Sequence, residues 1–239
     1  MTETVYNIPM SKKKKTSWFG KLVTRLLILL VLASIVGGYF VLDYYRIIPR
    51  KSYDASDFYF EEEVSGVDYN HNGVDDYKDI LAGAKKDAKK HPKYVEAYYT
   101  TAYPPDDEGI EGDVVWRALQ HAGYDLKALM DEDIKNNPGI YPSEEDSNMN
   151  FRLVDNQRMY FERYIRRIDA PTEEIGSWIA GDIVFFTNGS VAILSDKRNS
   201  DGYCYIIHND GQPMREEDTF ERYASQGIIG HYRWQFEGE

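Results

Sequence analysis

The longest hydrophobic run of the chain lies near its N-terminus. Residues 26–42 read LLILLVLASIVGGYFVL without a charge, and Leu22, Val23, Tyr44 and Tyr45 extend the run on both sides. About 20 apolar residues, rising 1.5 Å each, cross a hydrocarbon core of about 30 Å. The pattern therefore predicts one transmembrane helix over residues 22–45.

Later hydrophobic positions change from a helical to an alternating period. Helices are predicted at 77–90, 112–122, 126–135 and 156–168, with a polar loop at 136–155. Short β-branched and aromatic runs predict strands at 182–186, 191–194, 203–208 and 230–236, and residues 199–202 resemble a hairpin turn. Helices followed by antiparallel strands indicate an α+β domain over 67–239, with a stalk at 46–66.

Charge is distributed unequally between the two parts of the chain. Residues 1–51 contain nine basic and two acidic residues, whereas the remainder contains 19 basic and 38 acidic residues, a net charge of −19. Six bases precede the apolar run, so the positive-inside rule places the tail 1–21 in the cytoplasm and the domain outside it, at the cell membrane. A signal peptide cleaved near residues 36–38 is the alternative. The acidic domain makes nucleic acid an improbable partner.

Five blocks of sequence carry a family resemblance. They are YPPDDEGIEGDVVWRAL (103–119), WIAGDIVFF (178–186), SVAILSDKRNSDGYCYIIHNDGQPMREED (190–218), VDYNHNGVDDYKDI (67–80) and GHYR (230–233). Together they resemble the bacterial domain-of-unknown-function family numbered 1287, which is similar to the papain-like, NlpC-type cell-wall peptidases and amidases. The resemblance implies N-terminal helices packed on a small antiparallel sheet, and a cysteine nucleophile at a helix start that is served by a histidine base.

The catalytic positions that the resemblance implies hold other residues. Glu111 stands at the nucleophile position, Ser190 stands at the base position, and the third position is kept as His208, with Asn209 beside it. Cys204 is the only cysteine, and its place in a predicted strand favours core packing over catalysis. These replacements predict an inactive hydrolase domain. Glu111 is interpreted either as an acid that stabilises a helix start or as the floor of a groove that binds an ammonium or amidated group of a wall peptide.

A second candidate site precedes the first helix of the domain. Residues 68–79 follow the spacing of an EF-hand-like calcium loop, with Gly73 at position 6. The oxygen ligands at positions 1, 3, 5, 7, 9 and 12 would come from Asp68, Asn70, Asn72, Val74, Asp76 and Asp79. The alternative is an Asn/Gly turn in which Asp75 or Asp76 caps the helix. Calcium is the only cofactor predicted.

These observations predict a membrane-anchored envelope protein whose exported domain binds a cell-wall peptide or a protein partner. Two alternatives remain open. One is an active peptidoglycan peptidase or amidase that does not use cysteine, and the other is a structural module stabilised by calcium.

Overall fold

A computed structural model describes residues 18–44, residue 48 and residues 51–236. The chain divides into two units, residues 1–49 and residues 50–239. The predicted cytoplasmic tail up to residue 17, the side chain of Tyr44, residue 45, residues 46, 47, 49 and 50 of the predicted stalk, and residues 237–239 lie outside the described residues.

The first unit contains helix α1, Trp18–Tyr44. Within Trp18–Asp43, an 18-residue window has a mean hydropathy of 2.4. The helix is long and apolar enough to span a membrane, which agrees with the span predicted at 22–45. A signal sequence near an N-terminus has the same length and composition.

The second unit is an α+β domain. Its helices are α2 (Asp76–Ala88), α3 (Asp113–His121), α4 (Leu126–Asn136), α5 (Ser147–Asn150), α6 (Val154–Tyr164) and α7 (Phe220–Ala224), with short 3-10 helices at Ala55–Phe58 and Ile175–Ser177. Its strands are β1 (Lys93–Tyr94), β2 (Glu108–Gly109), β3 (Ile165–Arg167), β4 (Ile183–Phe186), β5 (Val191–Arg198), β6 (Cys204–His208), β7 (Arg215–Glu217) and β8 (Ile228–Phe236).

Six strands form one antiparallel sheet in the order β3-β8-β4-β5-β6-β7. Strands β5 and β6 form the predicted hairpin, in which Ile193 lies opposite Ile207. β1 and β2 make a separate parallel pair that joins Tyr94 to Gly109. This small pair holds the segment that precedes α3.

Alternation along the strands divides the core between the two faces of the sheet. Ile193 and Ile207 pack on the face that carries α2 and α3, together with Leu119. Leu194 and Ile206 pack on the other face, which is covered by α7 and the segment around Trp178. Both faces are buried, so a side chain's position in the alternation decides which set of helices it meets.

Residues 51–63, part of the predicted stalk, contact the domain. Tyr53 exchanges backbone hydrogen bonds with Arg198. Glu63 forms ion pairs with Arg166 and Arg233. The ordered domain therefore begins before residue 67 in the structure.

The sequence did not predict strands β1, β2 and β7 or helix α7, and two predicted segments form a different type of secondary structure. The helix expected at 156–168 ends at Tyr164, and Ile165–Arg167 form strand β3, which pairs with β8. The apolar Ile165 is buried as a strand residue, so edge pairing overrides local helical periodicity. The expected loop at 136–155 contains the short helix α5.

Candidate functional site

The start of α3 is organised around Asp113, which is fully buried. Its carboxylate accepts hydrogen bonds from Ile110 N at 2.7 Å and from Trp116 Nε1 at 2.6 Å. The buried guanidinium of Arg152 donates to both carboxylate oxygens, each at 2.8 Å. A buried carboxylate needs such a paired, hydrogen-bonded cation, because neither charge could be buried alone without a large cost. This network fixes the first turn of the helix.

Gly112 is required by close packing at the same point. A Cβ atom on Gly112 would lie 2.0 Å from Arg152 O. Gln157 Nε2 also donates to Gly112 O at 2.8 Å. Because Gly112 and Asp113 are held from several sides, the preceding residue, Glu111, has a defined position at the helix start.

Glu111 shares a tyrosine hydroxyl with a second carboxylate. Tyr94 Oη lies 2.8 Å from Glu111 Oε1 and 2.8 Å from Glu96 Oε1. Burial raises the pKa of Glu111, and the negative charges of Asp210 and Glu96 act in the same direction, against the hydrogen bonds from its own backbone and from Tyr94. Glu111 is therefore a half-buried carboxylate among other acids, in surroundings that disfavour its ionised form.

Asn209 and Asp210 follow β6 at the end of the sheet. Asn209 is fully buried, and neither Oδ1 nor Nδ2 of its side chain has a hydrogen-bond partner. A Cβ atom on Gly109 would lie 3.1 Å from Asn209 Nδ2, so the asparagine amide packs against the strand that leads to Glu111. Asp210 accepts a hydrogen bond from the Tyr223 hydroxyl at 2.9 Å.

His208 lies on the opposite face of the sheet from Asn209. Its Nε2 is 2.8 Å from Glu217 Oε1, and its Nδ1 is 3.3 Å from the hydroxyl of Tyr223 on α7. Burial opposes ionisation of Glu217, but the hydrogen bond from His208 and the charges of Arg215 and Arg222 outweigh it and lower the pKa of Glu217. Both ring nitrogens of His208 thus contact side chains of β7 and α7. Helix α3 packs on the opposite face of the sheet.

Ser190 belongs to the hairpin between β4 and β5. Its hydroxyl donates to Asn188 Oδ1 at 2.6 Å, a bond within the turn itself. Continuing the pairing of Ile193 with Ile207 places Ser190 opposite Asp210. The hairpin therefore reaches the same end of the sheet as the residues that follow β6.

The structure brings only part of the predicted set together. Asn209 packs against Gly109, two residues before Glu111, the charge of Asp210 acts on Glu111, and Ser190 lies at the same end of the sheet. His208 faces away, because adjacent residues of a strand point to opposite faces. A single groove lined by Glu111 and His208 is not the arrangement observed.

Sequence reasoning missed three residues of this site. Tyr94 and Glu96 come from a segment 15 or more residues before Glu111, and β1–β2 pairing brings them to it. No local pattern marks a two-residue parallel strand. Asp210 directly follows Asn209, which was among the predicted site residues. Its acidic side chain was the one feature of the sequence that could have identified it.

The single cysteine is an inert core residue. Cys204 is 2% exposed, its Sγ lies 3.4 Å from Trp178 O, and burial raises its pKa to about 12. The thiol is protonated near neutral pH, so it cannot act as a thiolate.

The loop proposed for calcium is closed by hydrogen bonds. Asp68 accepts from Asn72 N at 3.0 Å and from Gly73 N at 2.8 Å. The side-chain amides of Asn70 and Asn72 both donate to Asp79 Oδ2, at 2.8 and 2.7 Å. Side chains at positions 3, 5 and 12 of the loop therefore converge as a calcium loop requires, although their amide nitrogens face the carboxylate.

Other members of the predicted calcium set have different partners. Asp76 accepts from Tyr69 N at 3.0 Å and from the Tyr124 hydroxyl at 2.5 Å. The backbone nitrogen of Val74 donates to Asn72 Oδ1 at 2.8 Å. Asp75 caps α2 by accepting from Tyr77 N, so one of the two capping residues proposed as the alternative does have that role. Among the residues of the described ranges, no group of three or more His, Cys, Asp and Glu side chains is arranged to hold a metal.

Comparisons with known proteins place the chain in a family. Residues 81–234 match the domain of unknown function DUF1287. The chain is also 35% identical, over 153 residues, to the uncharacterized protein YijF of Escherichia coli (strain K12); the alignment covers 60% of this chain and 72% of that protein. No solved structure matches. The match covers α3, the whole of the sheet except the last residues of β8, and the site around Glu111, and the chain therefore belongs to the DUF1287 family.

Proposed function

We propose that this protein is a membrane-anchored, extracytoplasmic member of its family, whose domain binds a cationic group of a cell-wall peptide or a partner protein without cleaving it. One observation carries the proposal. The single hydroxyl of Tyr94 lies at hydrogen-bond distance from two carboxylates, Glu96 and Glu111, while Asp210 adds a further negative charge.

A tyrosine hydroxyl has one proton to donate. It can form a full hydrogen bond to Glu96 or to Glu111, but not to both at once. A bound ammonium group supplies three donors and a positive charge, so it would satisfy both carboxylates and offset the repulsion from Asp210. The net charge of −19 over residues 52–239 would also attract a cation over a longer range.

The absence of hydrolysis is inferred from the residues at the helix start. A nucleophile there must be activated by a base within hydrogen-bond reach. Glu111 is a carboxylate with a tyrosine partner, and His208 is bonded to Glu217 on the other face of the sheet. These contacts support a domain that keeps the position of a catalytic group and lacks its chemistry.

A papain-like ancestry is part of the proposal. It is supported by a helix whose buried, fixed N-terminus lies against an antiparallel sheet, with Glu111 at the nucleophile position of the resemblance. The anchor and its orientation are proposed from α1 and the six bases that precede the span in the sequence.

The binding test uses the full chain in lipid nanodiscs. A wall-type peptide with a free side-chain ammonium is titrated, alongside the same peptide acetylated at that amine. We expect saturable binding of the free amine, weakened about tenfold or more by acetylation or by Glu111→Gln, because a buried charge-assisted contact is lost. Asp155→Asn, on an exposed acid at the start of α6, is the control for a general loss of negative charge. Equal binding of both peptides would refute the proposal.

The competing enzymatic function is tested by incubating the same protein with purified peptidoglycan and analysing the soluble fraction by mass spectrometry. We expect no released fragments. Fragments that disappear in Glu111→Gln would show that Glu111 serves catalysis, and the non-catalytic proposal would be wrong.

Calcium binding by residues 68–79 is a second candidate function. The convergence of Asn70 and Asn72 on Asp79 favours it, since rotation of the two amide groups would turn oxygen atoms toward the same point. Such a site would stabilise the start of α2, and calcium titration of thermal unfolding tests it.

A further inference from the structure

A cavity of about 400 Å³ lies beside the C-terminal end of α2. Lys85 and Lys89 reach it from α2 and its cap, Lys197 from β5 and Arg215 from β7. Glu216 is the one acidic residue of the lining. The cavity is within the size range of small-ligand sites. Four bases against one acid is the reverse of the charge balance of the domain as a whole, which is strongly acidic.

Nearby carboxylates neutralise this cavity only in part. Lys85 forms ion pairs with Asp196 and, at 3.7 Å, with Glu216. Lys197 Nζ donates to the same Glu216 at 2.5 Å. Glu216 is therefore shared between two lysines, and together with Asp196 it balances their two positive charges.

The remaining two bases are less fully paired. Arg215 Nε lies 3.1 Å from Glu217 Oε2, but it is buried and makes no hydrogen bond. Glu217 also accepts from His208, so its charge is divided. Lys89 forms no ion pair within the described part of the chain, and it is exposed at the cavity edge. Arg215 thus shares one carboxylate with His208 and Arg222, and the ammonium of Lys89 lies at the edge of the same cavity.

We propose that this cavity binds a phosphate group. A phosphate carries up to two negative charges and several acceptor oxygens. Lysine ammonium groups meet such a ligand as point charges, and an arginine fork adds directed N–H donors. The C-terminal end of a helix disfavours an anion, so the side chains and not the helix dipole provide the attraction. This site is separate from the acidic site at Glu111.

The test measures inorganic phosphate binding to the full chain in neutral detergent micelles, by calorimetric titration at constant ionic strength. We expect saturable binding that Lys89→Glu weakens about tenfold, since two units of charge change at the cavity edge. Lys86→Glu is the matched control. Lys86 lies in the last turn of the same helix and lines a different cavity, with Trp116 and Gln120. Both variants lose a base near the helix C-terminus, so their effects on helix stability are similar.

A second arm identifies the source of the phosphate. The titration is repeated in nanodiscs of phosphatidylcholine alone and in nanodiscs that contain phosphatidylglycerol. Loss of inorganic phosphate binding only with phosphatidylglycerol would indicate that a lipid headgroup occupies the cavity, whereas equal binding would indicate a soluble phosphate ligand. The proposal is overturned if phosphate does not bind in micelles, or if Lys86→Glu weakens binding as much as Lys89→Glu.

Discussion

The N-termini of α2 and α3 both carry buried acidic side chains, and different donors stabilise these side chains in the two helices. Each gathers acidic side chains at a helix N-terminus, where the helix dipole favours negative charge. At α3, Asp113 is neutralised by the buried guanidinium of Arg152. At α2, Asp79 receives two asparagine amides, and no base pairs with it in the described chain.

The two carboxylates differ in how strongly each could still attract a further cation. At Asp113 every carboxylate oxygen is already bonded to a charged or indole donor, so the first turn of α3 is fixed and its preceding residue, Glu111, is held in place. At Asp79 the donors are neutral amides, which carry no charge to balance that of the carboxylate. A guanidinium therefore gives a permanent scaffold, whereas neutral donors leave the negative charge available to a metal ion.

Arg152→Ala should produce the largest effect. It removes the cation from a fully buried pair and leaves Asp113 charged in the core, which costs about 3–5 kcal/mol of unfolding free energy. Urea unfolding of the full chain in detergent micelles, followed by tryptophan fluorescence, measures this loss. Arg158→Ala is the control, because Arg158 pairs with Glu162 near the surface of α6 and should cost less than about 1 kcal/mol. Similar losses in both variants would mean that the buried pair is not the scaffold of α3.

How far the sequence predicts this scaffold depends on the range of each interaction. Both ends of α3 were predicted within one residue, because hydrophobic positions at helical spacing are a local signal. Arg152 was not identified as its partner, because 39 residues separate it from Asp113 and the intervening region reads as a polar loop. The partner of a buried charge is set by tertiary packing.

Strand alternation explains why His208 does not lie in one groove with Glu111, as the sequence predicted. His208 and Asn209 were noted together, and neighbouring strand residues necessarily face opposite sides. Which of the two meets α3 depends on the register of β6 in the sheet, fixed here by the pairing of Ile207 with Ile193. The sequence contains the alternation, but it does not say which face the helices cover.

Calcium should have an intermediate effect, confined to α2. If residues 68–79 bind it, calcium at tenfold above its Kd should raise the unfolding free energy by about 1.4 kcal/mol. Asp79→Asn should remove this response, because it deletes the carboxylate on which Asn70 and Asn72 converge. Asp57→Asn, at an exposed acid outside the loop, is the control. Differential scanning calorimetry with and without calcium distinguishes the outcomes, and an unchanged wild-type transition would leave the loop as a turn closed by its own amides.

Glu111→Gln should have the smallest effect on stability, and its sign is opposite to that of Arg152→Ala. Burial, followed by the charges of Asp210 and Glu96, raises the pKa of Glu111 in the folded protein, so ionisation of this residue destabilises the fold. This destabilisation is absent below the unfolded-state pKa and develops as the pH rises through the folded-state pKa.

A neutral glutamine removes that penalty while keeping a hydrogen-bond acceptor for Tyr94. We therefore expect Glu111→Gln to stabilise the protein by about 0.5 kcal/mol near neutral pH, an amount reduced by solvent screening, and to make no difference in acid. Urea unfolding of the wild type and of Glu111→Gln, at a series of pH values from acid to neutral, measures this difference in unfolding free energy. Stabilisation near neutral pH, combined with weaker ammonium binding, would mean that Glu111 is retained at the expense of stability for the sake of a ligand. Destabilisation near neutral pH would mean that the carboxylate serves the helix start instead, as a negative charge at the N-terminus of α3 does.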